Sequence, residues 1–85
     1  MIDNYILYKD LPELDLHEMN RYEAKIKVEE FINDNIKLKT HLIKIIHGKG
    51  SYILKNTLHE YLKTNKKVVA YKIDIFNDGV TIIEI

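Results

Sequence analysis

The spacing of hydrophobic residues changes along the chain in an order that predicts alternating strands and helices. In residues 13–17, ELDLH, leucines alternate with polar residues, which is the period-two pattern of a strand. Residues 41–47, HLIKIIH, form a nearly continuous apolar run, as expected of a buried central strand. Residues 67–76 are rich in β-branched and aromatic residues, and VTIIEI at residues 80–85 is expected to pair with them across a tight turn at residues 77–79, NDG.

Two segments between these strands have apolar residues at helical spacing. Asn20 and Glu23 have the spacing of a capping box, and the apolar stripe after them predicts a helix that ends near Asn35. The second helix is expected to have Ser51 as its N-cap and to run over SYILKNTLHEYLKTN. One face of this helix is predicted to carry three polar residues, Lys55, His59 and Lys63.

The order strand, helix, strand, helix, strand, strand predicts an α/β fold. Right-handed crossovers make the connected strands parallel, and two crossovers that wind in one direction place both helices on one face. The final hairpin adds an antiparallel edge. We therefore predict a two-layer α/β sandwich with a mixed four-stranded sheet. Residues 1–12 are expected to form an N-terminal lead-in arm and residues 13–85 the domain itself.

Length and composition exclude several classes of protein. A chain of 85 residues is expected to form one domain with one modest core. The absence of cysteine excludes disulfide frameworks, thiolate zinc sites and thiol nucleophiles. The N-terminus lacks a signal-peptide pattern, and no apolar run approaches the roughly 20 residues that span a bilayer. We expect a soluble, cytoplasmic protein without a membrane partner.

The formal net charge is zero, but the charges are unevenly distributed along the chain. Residues 1–36 carry four Lys or Arg and nine Asp or Glu, a net charge of −5. Residues 37–72 carry nine Lys and one Glu, a net charge of +8. Because local charge determines the field that a polyanion meets at short range, this basic block is compatible with nucleic-acid binding. A solvated lysine surface is the alternative.

Two predicted strands end in residues that can carry out chemistry. LDLH ends with Asp15 and His17, and IIHGKG places His47 and Lys49 after the next strand. Ligands of such sheets bind outside the carboxyl ends of parallel strands, so these residues are expected to converge on one rim. His17 and His47 are the predicted acid and base, since an imidazole pKa of about 6.5 makes both protonation states available. Asp15 would orient a ring, or alternatively cap a loop N–H.

The glycines that follow His47 favour a phosphate site. Gly48 and Gly50 allow positive φ and a close approach of the backbone to a ligand, and the helix N-terminus beyond them favours an anion. Phosphate or nucleic acid is therefore predicted to be bound by Gly48, Lys49, Gly50, Ser51, Tyr52 and Lys55. Core packing is the alternative for Tyr52, and a solvated side chain is the alternative for Lys55.

The proposed chemistry requires no cofactor, and a divalent metal ion held by Asp15 and the histidines is the alternative. The other two histidines are expected to have no functional role. His41 opens a strand, and His59 is predicted to lie on a solvated helix face.

These motifs resemble the Smr domain, the small MutS-related module. The resemblance rests on LDLH at residues 14–17, IIHGKG at residues 45–50 and DGVTIIEI at residues 78–85. It implies a compact α/β sandwich like the C-terminal domain of a bacterial translation initiation factor, here as a stand-alone version. It also implies nuclease activity, because members nick DNA or cleave RNA, including messenger RNA on stalled or collided ribosomes. The family places this activity at the positions of Asp15, His17, His47, Gly48, Lys49 and Gly50.

Two positions depart from the family pattern. Glu18 replaces the glycine of L-D-L-H-G, and Ser51-Tyr52 replaces the Thr/Ser-Gly that follows H-G-K-G. We predict an endonuclease that acts on RNA or DNA, with RNA slightly favoured because the residues suit metal-free chemistry, and with the ribosome as a further partner. A non-catalytic nucleic-acid- or ribosome-binding module is the alternative that the two departures favour.

Overall fold

The computed structural model describes residues 10–50 and 52–85. In chain order its elements are β1 (Glu13–Asp15), α1 (Arg21–Lys37), β2 (Leu42–Ile46), α2 (Tyr52–Thr64), β3 (Ala70–Asp74) and β4 (Asn77–Glu84). The strands form one sheet in the spatial order β1-β2-β4-β3. β1 and β2 are parallel, whereas β4 is antiparallel to both of its neighbours. The predicted α/β fold with a mixed four-stranded sheet is confirmed.

Both helices pack on the same face of the sheet, as predicted. The main core cluster combines three buried residues from each helix with strand residues of one face: Ala24, Val28 and Ile32 from α1, Leu54, Leu58 and Leu62 from α2, and Ile43, Ile45 and Ile83 from the sheet. Burial of each large aliphatic side chain contributes roughly 1.5–3 kcal/mol relative to exposure, so this layer is the main source of stability. No helix in residues 10–50 and 52–85 is long and apolar enough to cross a membrane.

The opposite face of the sheet carries a second, smaller cluster. It contains Leu42, Val80 and Ile82, with Leu11 and Ile46 packed against it. Apolar residues on both faces of β2 explain the continuous apolar run in its sequence. Of the predicted lead-in arm, Leu11 contacts this cluster and the Pro12 carbonyl accepts the Lys44 N–H at 3.0 Å. Residues 1–9 of the arm lie outside the described residues.

The cap of α1 forms as predicted, whereas its end lies further along the chain. The Asn20 Oδ1 atom accepts the N–H groups of Tyr22 and Glu23, each at 2.9 Å, and Asn20 Nδ2 donates to the Glu23 carboxylate at 2.8 Å. The helix continues beyond Asn35 to Lys37. Asn35 does not end it because its buried side chain donates to the Phe31 carbonyl at 2.8 Å, which satisfies the amide inside the helix.

The predicted turn at residues 77–79 is wrong. The chain reverses at Ile75 and Phe76, where the Asp74 carboxylate accepts the Phe76 N–H at 2.9 Å. A register shift between Ile73 and Asp74 accommodates this turn, and Asn77–Glu84 already belongs to β4. Gly79, the glycine in NDG, therefore does not serve to reverse the chain.

Gly79 lets β4 pass close to the loop that follows β2. Its carbonyl oxygen accepts the N–H of His47 at 2.8 Å and the N–H of Gly48 at 3.0 Å. A Cβ atom on Gly79 would lie 2.8 Å from the Lys49 nitrogen and 2.9 Å from the Gly48 carbonyl carbon. Both distances are shorter than a van der Waals contact, so any side chain here would displace the loop.

We expect Gly79→Ala to lower the free energy of unfolding by about 1–3 kcal/mol, because backbone atoms must move to make room. Urea denaturation of the variant and the wild type measures this difference. Gly50→Ala is the matched control, since a Cβ atom there meets no other atom within 4 Å. Equal stability of the Gly79 variant and the wild type would contradict the close approach.

Candidate functional site

Parallel pairing of β1 and β2 brings the two sequence motifs to the same end of the sheet. Asp15 is in register with Ile46, and the Leu16 N–H donates to the Ile46 carbonyl at 2.8 Å. His17 follows β1 and His47 follows β2 at this end. The carboxyl ends of the two strands therefore lie side by side, which is where a sheet of this type binds its ligands.

His17 is the solvent-exposed imidazole of this end. Its side chain is 74% exposed, and its Nε2 atom lies 3.5 Å from the Glu18 carboxylate. The Asp15 carboxylate accepts the backbone N–H of His17 at 2.8 Å, which closes a turn around the residue between them. Asp15 thus holds the backbone of His17, which is the capping alternative that the sequence left open for this carboxylate.

Glu18 occupies a backbone conformation that suits glycine. Its φ is 66°, in the left-handed region, where an L-residue with a side chain is disfavoured by roughly 1–2 kcal/mol. The glycine in L-D-L-H-G would adopt this conformation without that penalty. In this chain the position instead carries a carboxylate, 83% exposed, beside the His17 ring.

His47 is buried, in contrast to His17. The residue is 2% exposed, its Nε2 atom lies 2.9 Å from the Thr81 hydroxyl, and its Nδ1 atom lies 3.3 Å from the Gly48 carbonyl. Its ring faces the helices because it continues the alternation of Ile43 and Ile45 by one residue beyond β2. The structure does not bring the rings of His17 and His47 to one exposed surface.

His59 does not lie on a solvated helix face, and that prediction is wrong. Its side chain is half-buried, and its Nε2 atom lies 2.9 Å from the same Thr81 hydroxyl. Its ring centroid lies 5.1 Å from that of Tyr71 and 6.2 Å from that of His47. The sequence pattern had indicated no functional role for His59 and did not single out Thr81. The signal for Thr81 is a hydroxyl at a core-facing position of an otherwise apolar strand.

One arrangement of protons satisfies this group of side chains with both rings neutral. A threonine hydroxyl has one proton and two lone pairs, so Thr81 can donate to one ring and accept from the other. If His47 Nδ1–H donates to the Gly48 carbonyl, its Nε2 atom accepts the Thr81 proton. Thr81 then accepts Nε2–H of His59. This chain of hydrogen bonds links α2, β4 and the glycine loop.

Burial keeps both of these imidazoles neutral. Desolvation lowers the pKa of His47 and is the largest influence on it, with the positive charge of Lys55 acting in the same direction. Desolvation likewise lowers the pKa of His59, and the positive charges of Lys55 and Lys63 add to the effect, as would protonation of His47. The neutral network is therefore the stable form near neutral pH.

The residues after His47 present positive charge and an aromatic ring to solvent. Gly48 adopts φ 90°, and Lys49 and Gly50 are exposed. Tyr52 is 71% exposed, and Lys55 Nζ lies 5.5 Å from its ring centroid. Tyr52 is therefore not a core residue, which was the alternative to a binding role. Ser51 lies outside the described residues.

Asp15 is the only carboxylate among the predicted metal ligands, which are Asp15, His17 and His47. One of its oxygens already accepts the His17 N–H. Within the described part of the chain, no three His, Asp or Glu side chains are grouped so that they could hold a metal ion. A magnesium ion at this rim would take most of its oxygen ligands from substrate phosphates and water, as is usual for that ion.

We expect the stability of the protein to fall as the pH decreases below about 6.5, the ordinary imidazole pKa. Because the pKa values of His47 and His59 are lowered in the folded state, the unfolded chain takes up protons first on acidification. The slope is at most about 1.4 kcal/mol per pH unit for each histidine. Urea denaturation between about pH 5 and 8 measures it.

His59→Gln should make this pH dependence shallower, since one of the two buried imidazoles is removed. His41→Gln is the control, because His41 is exposed and lies at the opposite end of β2. A slope that is the same in the His59 variant and in the wild type would contradict the buried network as its cause.

The chain is similar to a known domain family and to curated relatives. Residues 14–85 match the Smr domain family. The protein Endonuclease MutS2 of Caldanaerobacter subterraneus subsp. tengcongensis is 31% identical over 77 residues, which are 87% of this chain and 10% of that protein. Endonuclease MutS2 of Finegoldia magna is 33% identical over 67 residues, 79% of this chain and 9% of that protein. The chain thus spans about a tenth of the length of these relatives.

Solved structures have the same fold. The crystal structure of the Smr domain of Thermus thermophilus MutS2 has a TM-score of 0.84 and 25% sequence identity, and covers 87% of this chain and 96% of that one. YdaL, a stand-alone small MutS-related protein from Escherichia coli, has a TM-score of 0.83 at 20% identity, and covers 100% of this chain and 76% of that one. Because the family match extends over nearly the whole chain, this protein belongs to the Smr domain family.

Proposed function

We propose that this Smr domain is a nucleic-acid endonuclease that cleaves phosphodiester bonds at the carboxyl ends of β1 and β2. The observation that carries the proposal is the parallel pairing that brings the carboxyl ends of β1 and β2 together, with the exposed imidazole of His17 after one strand and the cationic glycine loop of residues 48–50 after the other. The MutS2 relatives are named endonucleases, which supports the same class of reaction here. RNA is the favoured substrate because a 2′-hydroxyl supplies a nucleophile that needs no metal ion.

The loop after β2 is the proposed phosphate site. The Gly79 carbonyl fixes its backbone through two hydrogen bonds, and its Lys49 side chain is exposed. A phosphate beside Lys49 would also lie before the N-terminus of α2, where the helix dipole favours negative charge. Lys55, on the first turn of α2, adds a second cation close to the start of that helix.

His17 is the proposed proton-transferring residue. On RNA its neutral ring takes the proton of a 2′-hydroxyl while the 2′-oxygen attacks the adjacent phosphorus. The bond between phosphorus and the 5′-oxygen then breaks, which leaves a 2′,3′-cyclic phosphate and a 5′-hydroxyl that takes its proton from solvent. Lys49 and the loop N–H groups stabilise the negative charge that develops on the phosphate oxygens. On DNA, His17 would take a proton from a water molecule whose oxygen bonds to phosphorus. The bond between phosphorus and one ester oxygen would break, which leaves a phosphate monoester and a hydroxyl that takes its proton from solvent.

His47 has a positioning role in this proposal. Its ring is buried, and its two nitrogens contact the Thr81 hydroxyl and the Gly48 carbonyl. It would therefore hold the phosphate loop against β4. The sequence prediction gave His47 a direct part in proton transfer. The burial of the ring favours the supporting part instead.

We expect His17→Ala to reduce cleavage by roughly 10²–10⁴-fold, because the proton-transferring group is lost. The assay uses labelled single-stranded RNA and supercoiled DNA, each with EDTA and with added Mg²⁺. His41→Ala is the matched control, since it removes another exposed imidazole, one whose Nδ1 atom lies 3.3 Å from the Ile85 carbonyl. Cleavage at wild-type rates by the His17 variant would rule out this mechanism.

The EDTA arm of the assay separates two forms of the proposal. Cleavage that survives EDTA supports the metal-free route through His17. Cleavage that requires Mg²⁺ would indicate that Asp15 and the substrate phosphates bind a metal ion. The protein would still be an endonuclease.

A non-catalytic nucleic-acid- or ribosome-binding module is the second candidate function. The observation that favours it is the Glu18 carboxylate, which lies 3.5 Å from the His17 ring and adds negative charge beside the phosphate site. Such a module would bind RNA or DNA in a salt-dependent manner without cutting it. Binding would then depend on Lys49 and would be unaffected by His17→Ala.

A further inference from the structure

We propose that the groove between the first turns of α1 and α2 binds an unpaired base of the nucleic-acid substrate, so that the domain selects single-stranded over fully paired segments. The proposal rests on the proposed function and adds a base site to its phosphate site. The groove has a volume of about 530 Å³, and its lining includes Glu18, Met19, Arg21, Tyr22, Ile53 and Leu54.

The walls of this groove are apolar and aromatic, although they are exposed. Tyr22 of α1 is 69% exposed and Ile53 of α2 is 68% exposed. Leu54, at 8% exposed, belongs to the main core, and Met19 packs against that core, so the groove has a rigid apolar floor. A rigid floor and an aromatic wall suit the flat face of a base, because stacking on an aromatic ring stabilises any unpaired base.

A cation accompanies the exposed ring at the start of each helix. The Arg21 Cζ atom lies 5.1 Å from the Tyr22 ring centroid, and its Nη2 atom donates to the Tyr22 hydroxyl at 3.2 Å. On α2, Lys55 lies over Tyr52 in a similar way. Arg21 is the first residue of α1, where the helix dipole disfavours a cation, so helix stability does not account for it. A polyanion that places a base on Tyr22 and a phosphate near Arg21 would account for the position of this cation.

The groove adjoins residues that flank the proposed phosphate site. Glu18 lines the groove and lies 3.5 Å from His17, while Ile53 follows Tyr52 beyond the glycine loop. A strand whose phosphate lies at Lys49 can therefore pass the next base into the groove without leaving the surface. The groove is thus a neighbour of the cleavage site.

Glu18 sets the direction of the bound nucleotide. A carboxylate only accepts hydrogen bonds and repels phosphate, so the base edge rather than the backbone would face it. Amino groups of adenine, cytosine and guanine can donate to Glu18, and uracil and thymine lack such a group. A base that is stacked and paired in a duplex cannot enter, since both of its faces and its edge are occupied.

The test measures binding of labelled adenosine decamers by fluorescence anisotropy in EDTA, in DNA form and in 2′-O-methyl RNA form, both of which lack the attacking 2′-hydroxyl. Each decamer is compared with an abasic sugar-phosphate chain of the same charge and with the duplex. We expect the single strand to bind roughly 5- to 100-fold more tightly than the abasic chain, the range typical of one stacked base. This advantage should disappear in Tyr22→Ala and in Ile53→Ala, and persist in Tyr22→Phe.

Ile26→Ala is the matched control, because Ile26 is an apolar residue of α1 that is 60% exposed and lies outside the groove lining. Equal binding of the base-bearing and abasic chains, with both still weakened by Lys49→Ala, would overturn the base site and leave the proposed function intact. An unchanged advantage in both the Tyr22→Ala and Ile53→Ala variants would overturn it as well. A protein that binds none of these chains would overturn the base site, and would overturn the proposed function as well if it also cleaves neither RNA nor DNA in the assay with Mg²⁺.

Discussion

The carbonyl oxygen of Gly79 determines where the candidate site lies, because it holds the loop after β2 against β4. It accepts the N–H groups of both His47 and Gly48, at 2.8 and 3.0 Å. Two residues further along the same face of β4, the Thr81 hydroxyl binds the ring of His47 at 2.9 Å. β4 therefore fixes the backbone and the side chain of His47 together, and the loop leaves the sheet in one defined direction with Lys49 exposed.

Two histidines that end neighbouring strands have opposite environments as a result. β1 ends at Asp15, whose carboxylate redirects the backbone so that His17 turns into solvent. At the end of β2 the alternation continues for one more residue, so the ring of His47 joins the helix-facing side and shares Thr81 with His59. In the proposed mechanism the exposed imidazole exchanges protons with a substrate, whereas the buried one supports the loop. The two proposed roles, proton transfer by His17 and support of the loop by His47, follow from the difference in burial. Neither sequence motif reveals this difference by itself.

Much of the fold could be predicted from the sequence because it depends on local patterns. The capping interaction between Asn20 and Glu23 and the apolar run of β2 are recognisable from spacing alone, and the order of elements then leads to one sheet with both helices on one face. The parallel pairing of β1 with β2 follows from crossover handedness.

The features that could not be predicted depend on contacts between distant segments. Gly79 was assigned to a turn because NDG suits one, whereas its actual constraint is the approach of a loop about thirty residues earlier in the chain, Gly48 and Lys49. His59 was placed on a solvated face because a helical pattern does not reveal Thr81 on β4 beside it. The strand pattern of β2 is apolar on both faces, so it did not indicate which face the ring of His47 would join.

The most direct test of the division between His17 and His47 is ¹⁵N NMR of the imidazole nitrogens, with and without a 2′-O-methyl RNA oligonucleotide, which lacks the attacking 2′-hydroxyl. The chain has four histidines, so each ring can be assigned by single substitution. We expect the oligonucleotide to shift the nitrogens of His17, while His47 keeps a neutral ring protonated at Nδ1 in both states. A His47 ring that changes its protonation or its tautomer on binding, with His17 unaffected, would contradict the account.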